Sequence, residues 1–286
     1  MVKKIKILLI SASLIISSLY IVNAEDVLQE GLNRSLNNLG EAIQSALPGP
    51  GDTEITINTQ DNYDLRYSIL AVRPLMMNPY SSISNKHLYF TQLRLANHEP
   101  YADGDQRTLF NAGIGFRTLA QDNNAILGLN LFYDHEFEQE HQRVSLGAEY
   151  LTSVFEVYAN RYERLSEIAK YGTTTETVLD GYDVHIVGQL PYLPWGKVAY
   201  NNYSWNATGK DTQGERYSLE AQILRNMVFE IGQSDPETSS KEDFFKLTLR
   251  WPANQFKQTI FTPVSYTHLR AHETPEHLVC RRLLEK

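Results

Sequence analysis

The chain has 286 residues, a formal net charge of −8 and a single cysteine, Cys280. One thiol excludes a disulfide framework within the chain, and the acidic balance argues against nucleic acid as a partner. Tyrosine occurs at 17 positions, which fits the aromatic belts of proteins at a membrane interface.

Residues 1–24 have the three parts of a secretory signal peptide. Lys3, Lys4 and Lys6 give a positive start, an apolar stretch follows, and Ala24 ends a small-residue cleavage site. No later apolar run reaches the roughly 18 residues that a membrane-spanning helix needs. We therefore expect the mature chain to leave the cytoplasm and to enter a membrane only as strands.

Residues 25–51 are predicted to form a periplasmic helix and a linker. Apolar side chains recur at helical spacing between 27 and 47, at Leu28, Leu32, Leu36, Leu39 and Ile43. Two prolines and two glycines at 48–51 then end the helix. The single apolar stripe indicates a short amphipathic helix that docks on the barrel mouth or on a second copy of the chain.

Residues 52–251 alternate apolar and polar side chains with a period of two, which is typical of strands with two different faces. Between 125 and 134, for example, Leu127, Leu129 and Leu131 alternate with Gly128 and Asn130. The alternation predicts twelve strands at 53–59, 65–72, 87–95, 108–119, 125–134, 142–151, 154–162, 181–190, 197–205, 216–223, 227–232 and 244–251.

The polar face is rich in glycine, asparagine and single charges. An outward apolar band around a polar interior is typical of a transmembrane β-barrel. Slipping the strands by one residue would move Arg117, Glu149, Glu156, Glu220, Glu230 and Lys246 into lipid. Each basic residue would cost about 2–4 kcal/mol there. A soluble β-sandwich is the alternative fold, but it would leave sheet edges to protect.

The connections between strands alternate in length, as in outer-membrane barrels. Long polar connections are predicted at 96–107, 135–141, 163–180, 206–215 and 233–243. Short links are predicted at 120–124, 152–153, 191–196 and 224–226, and the long connection at 73–86 is the exception. Because the number of strands is even, both ends of the barrel should lie in the periplasm.

Several short runs recur in a definite order along the predicted strands. They are GLNLFYD at 128–134, HQR at 141–143, GAE at 147–149, Asn160, DGYD at 180–183 and LPYLP at 190–194. Together these runs resemble the barrel domain of the intimin/invasin family, the inverse autotransporters. The resemblance extends from Leu28 to Trp251, and the order and spacing of the runs carry it.

The resemblance implies an all-β, twelve-stranded antiparallel barrel in the Gram-negative outer membrane that exports and anchors its own C-terminal adhesive passenger. The barrel-assembly machinery and periplasmic chaperones would be its partners, together with outer-membrane lipid, and a homodimer is one candidate assembly. Residues 252–263 would start the linker to the passenger. The expected lumen-facing contacts to this linker are Asn111, Arg117, Asn130, Glu149, Glu156, Asn160, Asp183 and Arg250.

Residues 264–286 depart from the family pattern. Alternation stops, and His268, His272, His277 and Cys280 crowd together. The histidine spacing does not match a known zinc scaffold. The stretch resembles translated sequencing-adapter read-through, and we expect it to be a non-native tail that replaces the passenger.

Two other functions remain open from the sequence. Asp134 with His135, or Asp183 with His185, could activate water at the rim of a barrel hydrolase, although no known hydrolase motif occurs. A twelve-stranded lumen could also serve as a diffusion porin. The sequence favours a translocator that is not an enzyme and needs no cofactor or metal.

Overall fold

The structure is a computed structural model that covers the predicted barrel almost completely. It describes residues 51–60, 65–75, 87–97, 107–120, 124–138, 140–166, 169–171, 174–207, 210–237, 239–252 and 280–283, with Arg34, Asn38, Glu41, Ala42, Ser45 and Gly49. The chain divides into two compact units, Met1–Pro48 and Gly49–Lys286. No helix in the described part is long and apolar enough to cross a membrane.

Fifteen strands occur in the described residues. They are β1 (Asp52–Gln60), β2 (Leu65–Pro74), β3 (His87–Asn97), β4 (Thr108–Ala120), β5 (Ala125–Glu136), β6 (His141–Thr152), β7 (Phe155–Arg164), β8 (Ala169–Tyr171), β9 (Thr174–Val178), β10 (Asp180–Gln189), β11 (Gly196–Ala207), β12 (Lys210–Leu224), β13 (Met227–Pro236), β14 (Glu242–Trp251) and β15 (Cys280–Leu283).

Twelve of these strands form one closed antiparallel barrel, as predicted. Its order is β1-β14-β13-β12-β11-β10-β7-β6-β5-β4-β3-β2. Each barrel strand therefore pairs with the barrel strands that precede and follow it in the chain. β8 and β9, which lie between β7 and β10 in the sequence, are not part of the barrel. The ladder from Thr53↔Trp251 to Gln60↔Phe244 closes the ring. Closure removes the free edges that a soluble sandwich would expose.

The side-chain faces also follow the prediction. Leu127, Leu129 and Leu131 are exposed on the outside of β5, whereas Asn130 and Phe132 on the same strand are buried. Apolar side chains are exposed in the same way on other strands, for example at Leu93, Ile114 and Leu146. Of the predicted inward charges, Arg117 and Glu149 are buried. The register between neighbouring strands is therefore the one that the alternation requires.

The two ends of the barrel have different connections. The turn end carries the links 121–124, 153–154 and 225–226, and also the termini Asp52 of β1 and Trp251 of β14. The loop end carries the longer connections 98–107 and 165–179. The connection between β2 and β3, at 75–86, is long although it lies at the turn end, as noted from the sequence.

Three predicted loops are shorter than expected, and the one at 135–141 keeps only residues 137–140 between β5 and β6. The polar stretch 206–215 is mostly strand, because β11 runs to Ala207 and pairs with β12 down to Lys210. Similarly, β13 and β14 leave only residues 237–241 between them. Asn206, Asp211 and Gln213 are exposed, so at this end the outward face is polar rather than apolar. The period-two apolar signal is then lost, although the backbone ladder continues.

A three-stranded sheet of β15, β9 and β8 also went unpredicted. β8 and β9 lie within the polar connection 163–180 and pair from Ala169↔Glu176 to Tyr171↔Thr174. Four of the five residues of β9 are β-branched (TTETV), a composition that favours strands. The β-branched composition of β9 is the sequence feature that could have predicted this strand.

The predicted helix at 27–47 and the signal at 1–24 lie largely outside the described residues. The few described positions in the helix have helical backbone, but the helix as an element stays a prediction. Within the predicted tail 264–286 only β15 is described, paired to β9 from Cys280↔Val178 to Leu283↔Thr175. The non-native origin of this tail also stays a prediction.

Inward glycines make room for large side chains on neighbouring strands. A Cβ atom on Gly113 would lie 1.9 Å from the Phe132 ring and 2.8 Å from the Leu131 carbonyl, and one on Gly115 would lie 2.1 Å from the Phe90 ring. Each ring sits on the residue directly opposite its glycine. The same pairing recurs at Gly181 with Trp205, Gly214 with Tyr203 and Gly232 with Phe244.

Gly113→Ala should destabilise the barrel by about 1–3 kcal/mol, because the new methyl group has no space beside Phe132. Denaturant unfolding in lipid vesicles, followed by tryptophan fluorescence, measures this. Gly188→Ala is the matched control, since its Cβ meets only Val198 Cγ2 at 3.6 Å. Equal unfolding free energies for the two variants would contradict the packing argument.

Leu129→Lys should destabilise the barrel by about 2–4 kcal/mol, because Leu129 is central on the outward face and its side chain is 58% exposed. Leu129→Met, which keeps an apolar side chain of similar volume, is the control. The same vesicle titration reports both changes. If lysine and methionine were tolerated equally, the outward face would not be in lipid.

Candidate functional site in the barrel lumen

The structure brings the predicted site residues together on the inward face of the barrel wall. Seven of the eight have buried side chains, at Asn111, Arg117, Asn130, Glu149, Asn160, Asp183 and Arg250. The eighth, Glu156, is partly exposed. Their position is therefore as predicted, whereas a role in holding a linker stays a prediction.

The first polar network lies on β4, β5 and β6. Arg117 Nε donates to Glu149 Oε2 at 2.6 Å, and Asn130 Nδ2 donates to Glu149 Oε1 at 3.0 Å. Glu149 itself lies over Gly128, which is directly opposite on β5. The Arg117 guanidinium also stacks 4.8 Å from the Phe90 ring centre. The carboxylate is thus held by two donors from neighbouring strands.

The second network is nearer the loop end and centres on Asp134. Asn111 Nδ2 donates to Asp134 Oδ1 at 2.5 Å, and Arg143 donates to Oδ2 from Nε at 2.9 Å and from Nη2 at 2.7 Å. The Arg143 guanidinium lies 4.3 Å from the Tyr162 ring centre and 5.4 Å from that of Trp205. Asp134 and Arg143 were not among the predicted site residues.

The third network centres on Asp183 of β10. Its Oδ1 accepts from Tyr162 Oη at 2.7 Å and from Asn160 Nδ2 at 3.2 Å, and its Oδ2 accepts from Asn201 Nδ2 at 3.0 Å. Tyr162 also packs against Trp205 with ring centres 5.0 Å apart. Because Tyr162 contacts both Asp183 and Arg143, the second and third networks are continuous across the wall from β4 to β11.

Ion pairs link further strands of the wall. Arg250 pairs with Glu54 across the closing strands β14 and β1. Lys197 Nζ lies 2.6 Å from Glu156 Oε1, which bridges β11 to β7 across β10. Lys246 Nζ lies 3.1 Å from Glu230 Oε2 on β13. Most predicted site residues therefore bind one another or their neighbours in the wall.

Several buried polar atoms have no hydrogen-bond partner. Among the described residues these include Asn111 Oδ1, Arg117 Nη2, Asn130 Oδ1 and both amide atoms of Gln92. Gln92 was missed from the sequence, although it shares its strand parity with the inward Phe90 and Arg94. The alternation along a strand predicts which residues face inward. It does not predict which of these residues keep buried polar atoms without a hydrogen-bond partner.

The arrangement does not support the carboxylate–histidine pairs of a hydrolase. Asp134 faces the lumen, whereas His135 follows it on the opposite face and stacks on Tyr133 with ring centres 6.2 Å apart. His185 packs beside Tyr158 at 6.0 Å, and β5 and β10 are separated by β6 and β7. The described residues also contain no cluster of three or more His, Cys, Asp or Glu residues that could hold a metal.

Comparison with known proteins gives relatives among bacterial adhesins. The chain is 28% identical to the invasin of Yersinia enterocolitica over 202 residues, which are 69% of this chain and 21% of that protein. It is 29% identical to a putative attaching and effacing protein homolog of Escherichia coli K12, over 66% of this chain and 63% of that protein. It is 24% identical to the inverse autotransporter adhesin YeeJ of the same strain, over 74% of this chain and 9% of that protein. The chain thus spans about a fifth of the invasin.

Solved structures give the same fold. A membrane protein from a study of in-meso crystallization has a TM-score of 0.65 and 16% identity, with 81% of this chain and all of that chain covered. The COG4313 outer-membrane channel of Pseudomonas putida F1 has a TM-score of 0.51 and 10% identity, over 70% of this chain and 96% of that one. At these identities the likeness concerns the outer-membrane barrel fold alone.

The family comparison spans nearly the whole chain. The model described as "Inverse autotransporter, beta-domain" matches residues 15–282, which include every strand of the closed barrel. Its members are translocator barrels of invasin- and intimin-like adhesins rather than enzymes, and they reside in the outer membrane. This chain belongs to the inverse autotransporter β-domain family.

Proposed function

We propose that this barrel carries a C-terminal adhesive passenger through its own lumen and then anchors it at the cell surface. The observation that supports this most directly is the closing ladder. Because Trp251 pairs with Thr53, β14 ends beside the start of β1, at the turn end. A chain that continues from β14 must pass the whole barrel to reach the loop end.

We also propose an orientation, with the turn end in the periplasm and the loop end outside. The longer connections 98–107 and 165–179 and the shorter turns 121–124 and 153–154 support it, because outer-membrane barrels have short periplasmic turns and longer outer loops. In this orientation the segments at 1–24 and 27–47 serve as export signal and periplasmic helix. We also propose that the barrel-assembly machinery and periplasmic chaperones are partners of this chain, and that it can form a homodimer.

The passage would run along the inward polar wall. The eight predicted residues shape it, and Asn111, Arg117 and Asn130 each keep one buried atom without a partner among the described residues. Such atoms can bind the peptide groups of a linker at 252–263, and binding would satisfy groups that are otherwise costly to bury. The passenger's receptor would be a host cell or a neighbouring cell.

A reporter epitope fused after residue 263, in place of the tail, should reach the surface of intact cells. Antibody labelling measures this, and the proposed orientation predicts strong labelling. Two insertions of the same epitope into the barrel are controls. In the proposed orientation an epitope in the outer loop at 98–106 should be labelled, whereas one in the periplasmic turn at 153–154 should not. A barrel that is folded in the outer membrane but leaves the fused reporter unlabelled would refute the translocator function.

Arg117→Leu should destabilise the folded barrel by about 3–5 kcal/mol, because it leaves the Glu149 carboxylate buried with only Asn130 as a donor. The double variant Arg117→Leu with Glu149→Leu should recover a large part of this loss, since no buried charge is then left uncompensated. Vesicle unfolding of both variants measures the difference. A double variant no more stable than Arg117→Leu would show that the wall does not depend on this pair.

A further inference from the structure

We propose that the linker at 252–263 docks on one side of the lumen, the wall formed by β1, β2 and β3, with Gln92 as its first contact. This inference rests on the proposed function, because it assumes that the chain after β14 enters the lumen. The wall of β1, β2 and β3 is the part of the lumen that would receive the linker. Neither Gln92 nor this wall is among the residues expected from the sequence.

Gln92 is among the least satisfied polar side chains of the described wall. It is fully buried at 0% exposure, and neither Nε2 nor Oε1 has a hydrogen-bond partner among the described residues. Leaving a buried polar group unsatisfied destabilises the folded state. A primary amide offers a donor and an acceptor together, which is the complement of one peptide group of an extended chain.

The position of Gln92 matches the point where β14 ends. One row of the ladders runs from Trp251 through Thr53 and Ala71 to Leu93, the neighbour of Gln92. This row crosses three strand spacings, or about 14 Å along the wall at 4.7–4.9 Å each. An extended chain covers that distance in about four residues. Residues around Gln255 therefore reach Gln92 directly after leaving β14.

The same wall continues as a polar column toward the loop end. Arg94, whose Nη2 donates to Ser68 Oγ at 3.2 Å, and Arg66 are both buried there. Asn58 closes the column, and its buried Oδ1 has no partner in the described part of the chain.

The length of this column matches the length of the linker. Gln92 pairs with Val72 and Asn58 pairs with Arg66, so the two amides lie about 20 Å apart along β2. About six further residues span this distance in extended form. A segment that leaves β14, meets Gln92 and then meets Asn58 thus uses most of residues 252–263.

The acceptors of the segment suit an amide donor in the wall. Residues 252–263 read PANQFKQTIFTP and contain no carboxylate, so their acceptors are carbonyl, amide and hydroxyl oxygens, which can accept from the Gln92 amide. On the other side of the ring, by contrast, Asn160, Tyr162 and Asn201 all donate to Asp183.

Disulfide trapping in the full chain tests the assignment. In a Cys280→Ser background, Gln92→Cys is combined with Gln255→Cys. The matched control combines Ala199→Cys with Gln255→Cys, because Ala199 faces inward on β11, six strands from β3 in either direction. Mild oxidation should crosslink the first pair about tenfold faster, since disulfides need Cα atoms within about 7 Å. Equal rates, or faster crosslinking at position 199, would overturn the proposal.

A second variant separates binding from simple proximity. Gln92→Leu keeps the volume but removes both polar atoms, so amide hydrogen exchange in residues 253–258 should become about tenfold faster. Asn201→Leu is the control and should leave that exchange unchanged. Unaltered exchange in Gln92→Leu would rule out the amide contact.

The surface display of a reporter fused after residue 263, measured in the same cysteine variants, keeps two failures apart. Display without preferential trapping at position 92 would refute the docking wall and leave the translocator function standing. The fusion replaces the tail and with it Cys280, so the parent fusion carries no cysteine. Loss of display in that parent, with a folded barrel, would refute the translocator function itself.

Discussion

The structure depends on one constraint, that every backbone N–H and C=O group inside a bilayer must find a partner within the protein. A sheet meets it only by closing, and here the ladder between β1 and β14 completes the ring. Closure also determines which residues face lipid, because a shift of one residue in any strand would exchange its faces. The register of the hydrogen-bonded strands thus determines that the leucines of β5 face outward and that Glu54 and Arg250 form an ion pair on the inward face.

Closure of only twelve strands leaves limited room inside, and the inward glycines show how that room is shared. Phe132 lies across Gly113 and Phe90 lies across Gly115, each on the strand directly opposite. A ring that lies over a glycine is held close to the wall, so an aromatic side chain takes less of the lumen than its volume suggests.

Period two was sufficient to predict the twelve strands and their inward residues, since both depend only on local alternation. It could not predict partners, which depend on the register between strands. Asp134 and Arg143 are close in sequence, but Glu156 and Lys197 are 41 residues apart and meet across β10. The signal also failed where the outward face is polar, as at Asn206 and Asp211, because apolar and polar side chains then no longer alternate, although the inward Thr212 stays buried.

The lumen that results is not equivalent on all sides. Between β4 and β11, carboxylates such as Asp134 and Asp183 collect donors from several strands and hold them in place. Side chains engaged in this way gain little from a new partner, because each contact would replace one that already exists. An amide with both atoms unsatisfied, as in Gln92, gains a complete pair of hydrogen bonds. A chain entering beside β1 would therefore gain most from Gln92, while the networked wall keeps the passage in shape and offers single unpaired atoms such as Asn111 Oδ1.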